Sequence, residues 1–262
     1  TQSVIIGIGA LGMTLVIISG GIDLSVGSQV ALGTVVIALV LGTSVENPGF
    51  AKPLMAAAAA IAACGLMGWI GGFISAKFNI VPFIVTLGTM QIARGVAKWL
   101  ASEQTIPTSD NWLQELMSIN PQPSWLIFAP GIWIAVFLLI LLIVVLKYTV
   151  FGRHVYALGS NENTARLCGI NVKLNRILIY TFCGLFTGVA AVMQYANLSI
   201  GDPTSAVAME LDIIAAVVIG GGSLKGGEGS AVGSIVGALL IAVLKNGCVI
   251  LGVPTYFQEI II

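Results

Sequence analysis

Charge is what this sequence has least of. Only 8% of its 262 residues are Asp, Glu, Lys or Arg, where a soluble domain carries roughly a quarter. Eleven bases balance eleven acids, so the formal net charge is zero. Such a chain cannot cover a water-facing surface with charge, which excludes an ordinary soluble enzyme and a disordered tail. It also has no basic surplus, so it is no nucleic-acid binder, which must neutralise phosphates. One histidine, His154, stands in a basic loop, and no His/Cys/carboxylate cluster is spaced for a metal. The four cysteines, Cys64, Cys168, Cys183 and Cys248, show no CxxC spacing and read as small packing residues. No nucleophile elbow or paired catalytic constellation exists. The sequence therefore predicts no catalytic residue, no metal and no cofactor.

What it has instead is apolar length. Hydrophobic residues make up 57%, and the mean hydropathy is +1.03. With no water in a bilayer core, backbone groups must be satisfied internally, and helices do this within one segment. The reading is an all-α polytopic membrane protein, a single transmembrane domain over 1–262. Apolar runs lie at 1–20, 28–42, 53–76, 80–100, 124–146, 174–198, 206–220 and 230–251, with another beginning at 255. That gives about nine helical segments, where a straight span needs about 20 residues. The chain starts and stops inside apolar runs, so we expect a fragment trimmed of helical material at both ends.

The short runs 28–42 and 206–220 border glycine-rich polar breaks at 20–28 and 220–229. Non-helical backbone at membrane depth survives only where protein or a water-filled path satisfies it. The breaks are therefore the first places to look for function. Gly7, Gly9 and Gly12 match GxGxxG, but no strand precedes them, so they read as a helix-packing surface. Gly68 and Gly72, Gly184 and Gly188, and Gly229, Gly233 and Gly237 are spaced likewise for close helix approach. The break 220–229 lacks a phosphate loop's ending and is expected to be a flexible turn.

Loop charges give an orientation. Segment 147–176 holds Lys147, Arg153, Arg166, Lys173 and Arg176 against Glu162, whereas 101–123 and 199–212 hold acids and no base. The positive-inside rule places the loop 147–173 in the cytoplasm and the other two segments outside. Arg94 and Lys98 dissent near an outer end, and snorkelling stems can put both at the interface.

Two segments carry chemical interest. In 20–28, Asp23 is followed by Leu24, Ser25, Gly27 and Ser28. Asp23 or Ser25 can cap the helix starting near 26–28. A helix interrupted beside such a polar cluster can also line or gate a path for a hydroxylated solute. In the basic loop, Ser160 or Asn161 can cap a short helix. Glu162 stands in its first turn and Arg166 in its last, matching the dipole, and Gly169 can end it. Such a helix is either a connector or a docking element.

Four stretches carry a resemblance. They are 20–28; 81–89 followed by Arg94 and Gly95; 151–169; and 210–230. Together they make the chain resemble the membrane permease of bacterial ABC sugar importers, the group of ribose, xylose, galactoside and autoinducer-2 uptake. The resemblance covers nearly the whole chain. It implies an expected ten helices, a position in the bacterial inner membrane as a multi-pass protein, and a dimer with a second permease chain. It further implies two cytoplasmic ATPase domains and a periplasmic sugar-binding protein. ATP hydrolysis would then belong to the partner chains. The family's pathway break falls on 21–28, and the residues expected to form the path or gate are Asp23, Leu24, Ser25, Gly27, Ser28, Pro82, Phe83 and Thr86. Its ATPase-coupling helix falls on Ser160, Asn161, Glu162, Ala165, Arg166 and Gly169.

Two alternatives stand beside this reading. One is a permease for a nucleoside or another small hydroxylated solute. The other is an ion-coupled secondary transporter with Asp23 as the ion site. The docking-like loop argues against the second.

Overall fold

A computed structural model describes residues 2–42, 49–118 and 127–254 of the chain. Among them are ten α-helices: α1 (Gln2–Ile18), α2 (Val26–Leu41), α3 (Ala51–Phe78), α4 (Pro82–Leu100), α5 (Pro130–Tyr148), α6 (Val150–Ser160), α7 (Glu162–Leu167), α8 (Val172–Leu198), α9 (Met209–Ile219) and α10 (Ala231–Ile250). Two-residue strands β1 (Ile106–Pro107) and β2 (Ile200–Gly201) pair antiparallel, Ile106 opposite Gly201. Four helices, α3, α5, α8 and α10, are long and apolar enough to cross a membrane. Helices α1 and α2 are apolar but shorter, at 17 and 16 residues.

The apolar runs become helices with shifted ends. The run at 124–146 starts instead at Pro130, whose fixed φ suits the first helical turn and whose missing N–H costs nothing there. Helix α9 starts at Met209, because Ala206 and Ala208 take left-handed backbone that no helix continues. The run beginning at 255 lies outside the described residues. Two helices, α6 and α7, fill the basic loop where the sequence suggests one.

Helix α1 is the hub, buried without interruption from Ile5 to Ile18. It packs on α8, α9 and α10. Glycines make this approach possible: a Cβ on Gly12 would lie 2.9 Å from Phe186 Cβ, and one on Gly9 2.6 Å from Ile213 Cδ1. Helices α3 and α8 also cross closely, where a Cβ on Gly68 or Gly184 would overlap a carbonyl of the facing helix. Helix α5 turns Trp133, Phe137 and Ile140 outward, as a lipid-facing helix does.

The segments 101–118 and 199–208 meet at one end of the bundle. There β1 pairs with β2, and Thr108 Oγ1 lies 2.6 Å from the Tyr195 hydroxyl. Helices α6 and α7 sit at the other end of the 27-residue α8.

Candidate functional site

The first break begins where α1 stops at Ile18 and Gly20 turns the chain at φ +81°. Asp23, only 1% exposed, then lies beside Cys183, near the middle of α8. Its Oδ1 accepts from the Ser25 backbone N–H at 2.8 Å and from the Ser25 hydroxyl at 2.5 Å. Neither residue caps α2 as the sequence reading allows. Ser25 holds the N-cap position without a capping bond, because its hydroxyl is committed back to Asp23. Gln29, one turn on and fully buried, donates through Nε2 to Ser25 Oγ at 2.7 Å. The result is a polar chain, Asp23–Ser25–Gln29, inside an apolar bundle. Gln29 escaped the sequence reading, although its i, i+4 spacing from Ser25 is a usable signal.

The carbonyl of Ile22 is the second anchor. It accepts from Thr86 Oγ1 at 3.3 Å and from the Tyr180 hydroxyl at 3.5 Å. Thr86 is thus brought to the break, whereas Phe83 on the same helix is 42% exposed and points elsewhere. Pro82 opens α4 and lines a cavity of about 150 Å³ together with Ser19, Gly20, Gly21, Glu162 and Tyr180. Leu24 is half-buried and Ser28 buried. Gly27 faces α9: a Cβ there would overlap the Glu210 carboxylate and lie 2.6 Å from the Ala206 carbonyl oxygen.

Residues 202–208 run non-helical beside α2. Thr34 Oγ1 meets the Asp202 backbone, and a Cβ on Gly201 would lie 3.1 Å from the Thr34 carbonyl oxygen. Arg94 of α4 holds this run, its Nη1 donating to the carbonyls of Pro203 at 3.0 Å and Ser205 at 2.7 Å. The head of Arg94 is thus satisfied by backbone carbonyls at the end of the bundle where 101–118 and 199–208 meet.

In the basic loop, Thr149 caps α6 by accepting from the Gly152 N–H at 3.1 Å. Asn161, rather than Ser160, caps α7, accepting from the Thr164 N–H at 2.9 Å. Ser160 is the last residue of α6. Gly169 ends the turn at φ +84°. Glu162 pairs within the chain, with Arg166 at 3.2 Å and Arg176 of α8 at 2.7 Å. Ala165 is buried in the chain's own fold at 4%, while Leu167 is 88% exposed. The outward face of α7 is therefore Asn163, Thr164, Arg166 and Leu167, with Ala165 turned inward.

The second break is ordered, where the sequence suggests a flexible turn. Ser223 N–H donates to the Glu228 carbonyl at 3.1 Å, and Gly227 N–H donates to the Ile18 carbonyl at the end of α1 at 2.8 Å. The two breaks thus touch. Among the described residues no group of three or more His, Cys, Asp or Glu is placed to hold a metal ion.

Comparison with known proteins fits this arrangement. Residues 1–262 match the family described as branched-chain amino acid transport system / permease component. Ribose import permease protein RbsC of Escherichia coli is 40% identical over 252 residues, which is 96% of this chain and 77% of the relative. RbsC of Bacillus subtilis is 34% identical, covering 99% and 78%. Fructose import permease protein FrcC of Rhizobium meliloti is 34% identical, covering 100% and 72%. No solved structure matches. With apolar helices throughout and these relatives along its whole length, the chain belongs to this permease family, as a multi-pass membrane subunit of the ABC sugar-importer type.

Proposed function

We propose that this chain forms the translocation path of an ATP-driven importer for a monosaccharide or similar small polyol. It works in the bacterial inner membrane, paired with a second permease chain. A periplasmic binding protein delivers the solute, and two cytoplasmic ATPase domains drive the cycle. The path runs past the break at 20–28, where Asp23, Ser25 and Thr86 supply polar groups in an apolar bundle. The ATPases dock on α7.

The observation that carries this reading is the exposure of Leu167, 88%, on a short helix whose other side is pinned by Glu162 to α8. Leu167 stands with the exposed Asn163, Thr164 and Arg166 on the free face of α7, the face that an ATPase docking there would cover. The relatives' printed substrates, ribose and fructose, support the solute class.

The test is reconstitution in proteoliposomes with the ATPase and candidate binding proteins. Labelled ribose, fructose and xylose are offered, and uptake and ATP turnover are measured. Sugar-stimulated turnover with matching uptake is expected. Uptake that persists without the ATPase and follows an ion gradient instead would sink the reading. For the docking face, Leu167→Glu should abolish co-purification of the ATPase while leaving the membrane fold intact.

A further inference from the structure

The ends of three elements converge on glycine at one end of the bundle. They are the end of α1 (Ile18–Gly20), the end of α6 (Gly159–Ser160) and the turn at Gly226–Gly227. A Cβ on Gly159 would overlap both the Ile18 carbonyl oxygen and the Gly227 nitrogen. One on Gly226 would lie 2.7 Å from the Gly159 carbonyl oxygen and 2.9 Å from Gly20 Cα. Gly226 and Gly227 also hold φ of +85° and +78°, which L side chains adopt with strain. The Gly227 N–H donates to the Ile18 carbonyl at 2.8 Å. One turn back on α6, the Tyr156 hydroxyl donates to the Gly229 carbonyl at 2.9 Å. Burial pushes the Tyr156 phenol up from its ordinary range, so it stays a donor.

The placement matters more than the packing. Ile18 and Gly20 lead into the first break. Gly226 and Gly227 are the second break. Gly159 and Ser160 are the last residues of α6, one residue short of α7. Backbone touches backbone at all three, with no side chain between them to yield. Close-packed contacts of this kind transmit displacement rather than absorb it.

We propose that Gly159, Gly226 and Gly227 are positioning residues that fuse these three ends into one rigid joint, through which a displacement of α7 reaches both breaks together. This rests on the reading of α7 as the ATPase-docking element. The joint turns one push from the cytoplasm into a simultaneous movement of α1–α2 and α9–α10, the two helix pairs that flank the breaks.

The assembled transporter tests it, in a background with the four native cysteines replaced by serine. A Cβ on Gly227 would stand 3.4 Å from Ser160 Cβ, close to the disulfide range of about 3.5–4.5 Å. Ser160→Cys with Gly227→Cys is therefore oxidised to a cross-link, and solute moved per ATP hydrolysed is compared before and after reduction of the same protein, so that the strain of a side chain at Gly227 (φ +78°) is common to both arms. A joint that travels as one body leaves that ratio unchanged on oxidation. A cross-link that stops transport, with recovery on reduction, means that the two segments separate in the cycle and overturns the proposal.

Gly159→Ala asks the converse question. It should leave the ATPase bound and hydrolysing while solute moved per ATP falls about tenfold or more. A wild-type ratio overturns the proposal. Should Gly159→Ala protein not accumulate, Tyr156→Phe withdraws only the bond to Gly229. Its ratio should fall by about threefold, and an unchanged ratio counts against the joint. Leu167→Glu reports separately on the reading beneath. If the ATPase still co-purifies with that variant, α7 is no docking element, whatever the joint does.

Discussion

Arg176 of α8 and Glu162 of α7 are joined by an ion pair of 2.7 Å, and the arginine is the less exposed partner, 19% against 40% for the glutamate. Glu162 also takes Arg166 at 3.2 Å, but that guanidinium is 63% exposed. One carboxylate thus ties the start of α7 to α8 with one bond shielded from water and one bathed in it.

Shielding ranks the two pairs. Exposed pairs contribute about 0–1 kcal/mol, so Arg166→Ala should leave thermal stability nearly unchanged. Arg176→Ala and Glu162→Ala should each lower the melting temperature by about 2–4 °C, as expected for a loss near 1 kcal/mol in a chain of this size. Thermal unfolding of the detergent-purified protein checks this. A larger loss for Arg166→Ala than for Arg176→Ala would contradict the ranking.

Asp23→Leu should abolish most transport. It leaves the Ser25 N–H and hydroxyl without their acceptor in a buried setting, where an unmet polar group costs about 1–3 kcal/mol. Asp23→Asn keeps an oxygen in place of Oδ1 and should retain a measurable fraction of the rate. Uptake assays on both variants, at matched expression, separate the cases. Wild-type uptake by Asp23→Leu would show that the polar chain serves neither structure nor passage.

Removing Arg94 should free the non-helical run beside α2. Two carbonyls, of Pro203 and Ser205, lose their shared donor. Hydrogen exchange over 203–208 should speed by about tenfold, the equivalent of about 1.4 kcal/mol of local opening. Arg94→Lys offers a compact ammonium in place of the planar fork and should give an intermediate rate. Exchange unchanged in Arg94→Ala would mean that other contacts hold the run.

The orientation follows from the bases in 147–176. A cysteine at Asn163 should resist membrane-impermeant thiol reagents in intact spheroplasts, and one at Glu103 should react, with the native cysteines removed. Both positions are exposed in the fold, so burial does not decide the result. The reverse pattern would invert the topology.

Hydropathy alone located the helices of the bundle, because a bilayer demands length and apolarity from every span. The cap at Asn161 was legible too, since Asn161, Glu162, Arg166 and Gly169 each stand where a short helix wants them. Helix α6 was hidden by Gly152 and by its mixed composition, although Thr149 ahead of Val150 is a readable start. Asp23 announced itself as an acid among apolar residues. Its partner Gln29 did not, because a glutamine inside an apolar helix carries no charge to mark it. Nor did sequence spacing bring Gly159 to Gly227, which are distant in the chain and meet only after the helices fold back. The inward turn of Ala165 was equally silent, since a six-residue helix has too few positions to define a buried face.

The clasp of Arg94 on Pro203 and Ser205 also sets an order of events while the chain is being made. The Pro203 carbonyl lies 109 residues downstream of the arginine it receives. At about 5–20 residues per second, on the order of 5–20 s of synthesis separates the two. Throughout that interval α4 has emerged with a guanidinium whose final acceptors do not yet exist. Until residues 203–205 arrive, the Arg94 guanidinium has to be met by water or another acceptor. The contact between α4 and the run 202–208 is therefore completed only once the last third of the chain has been made.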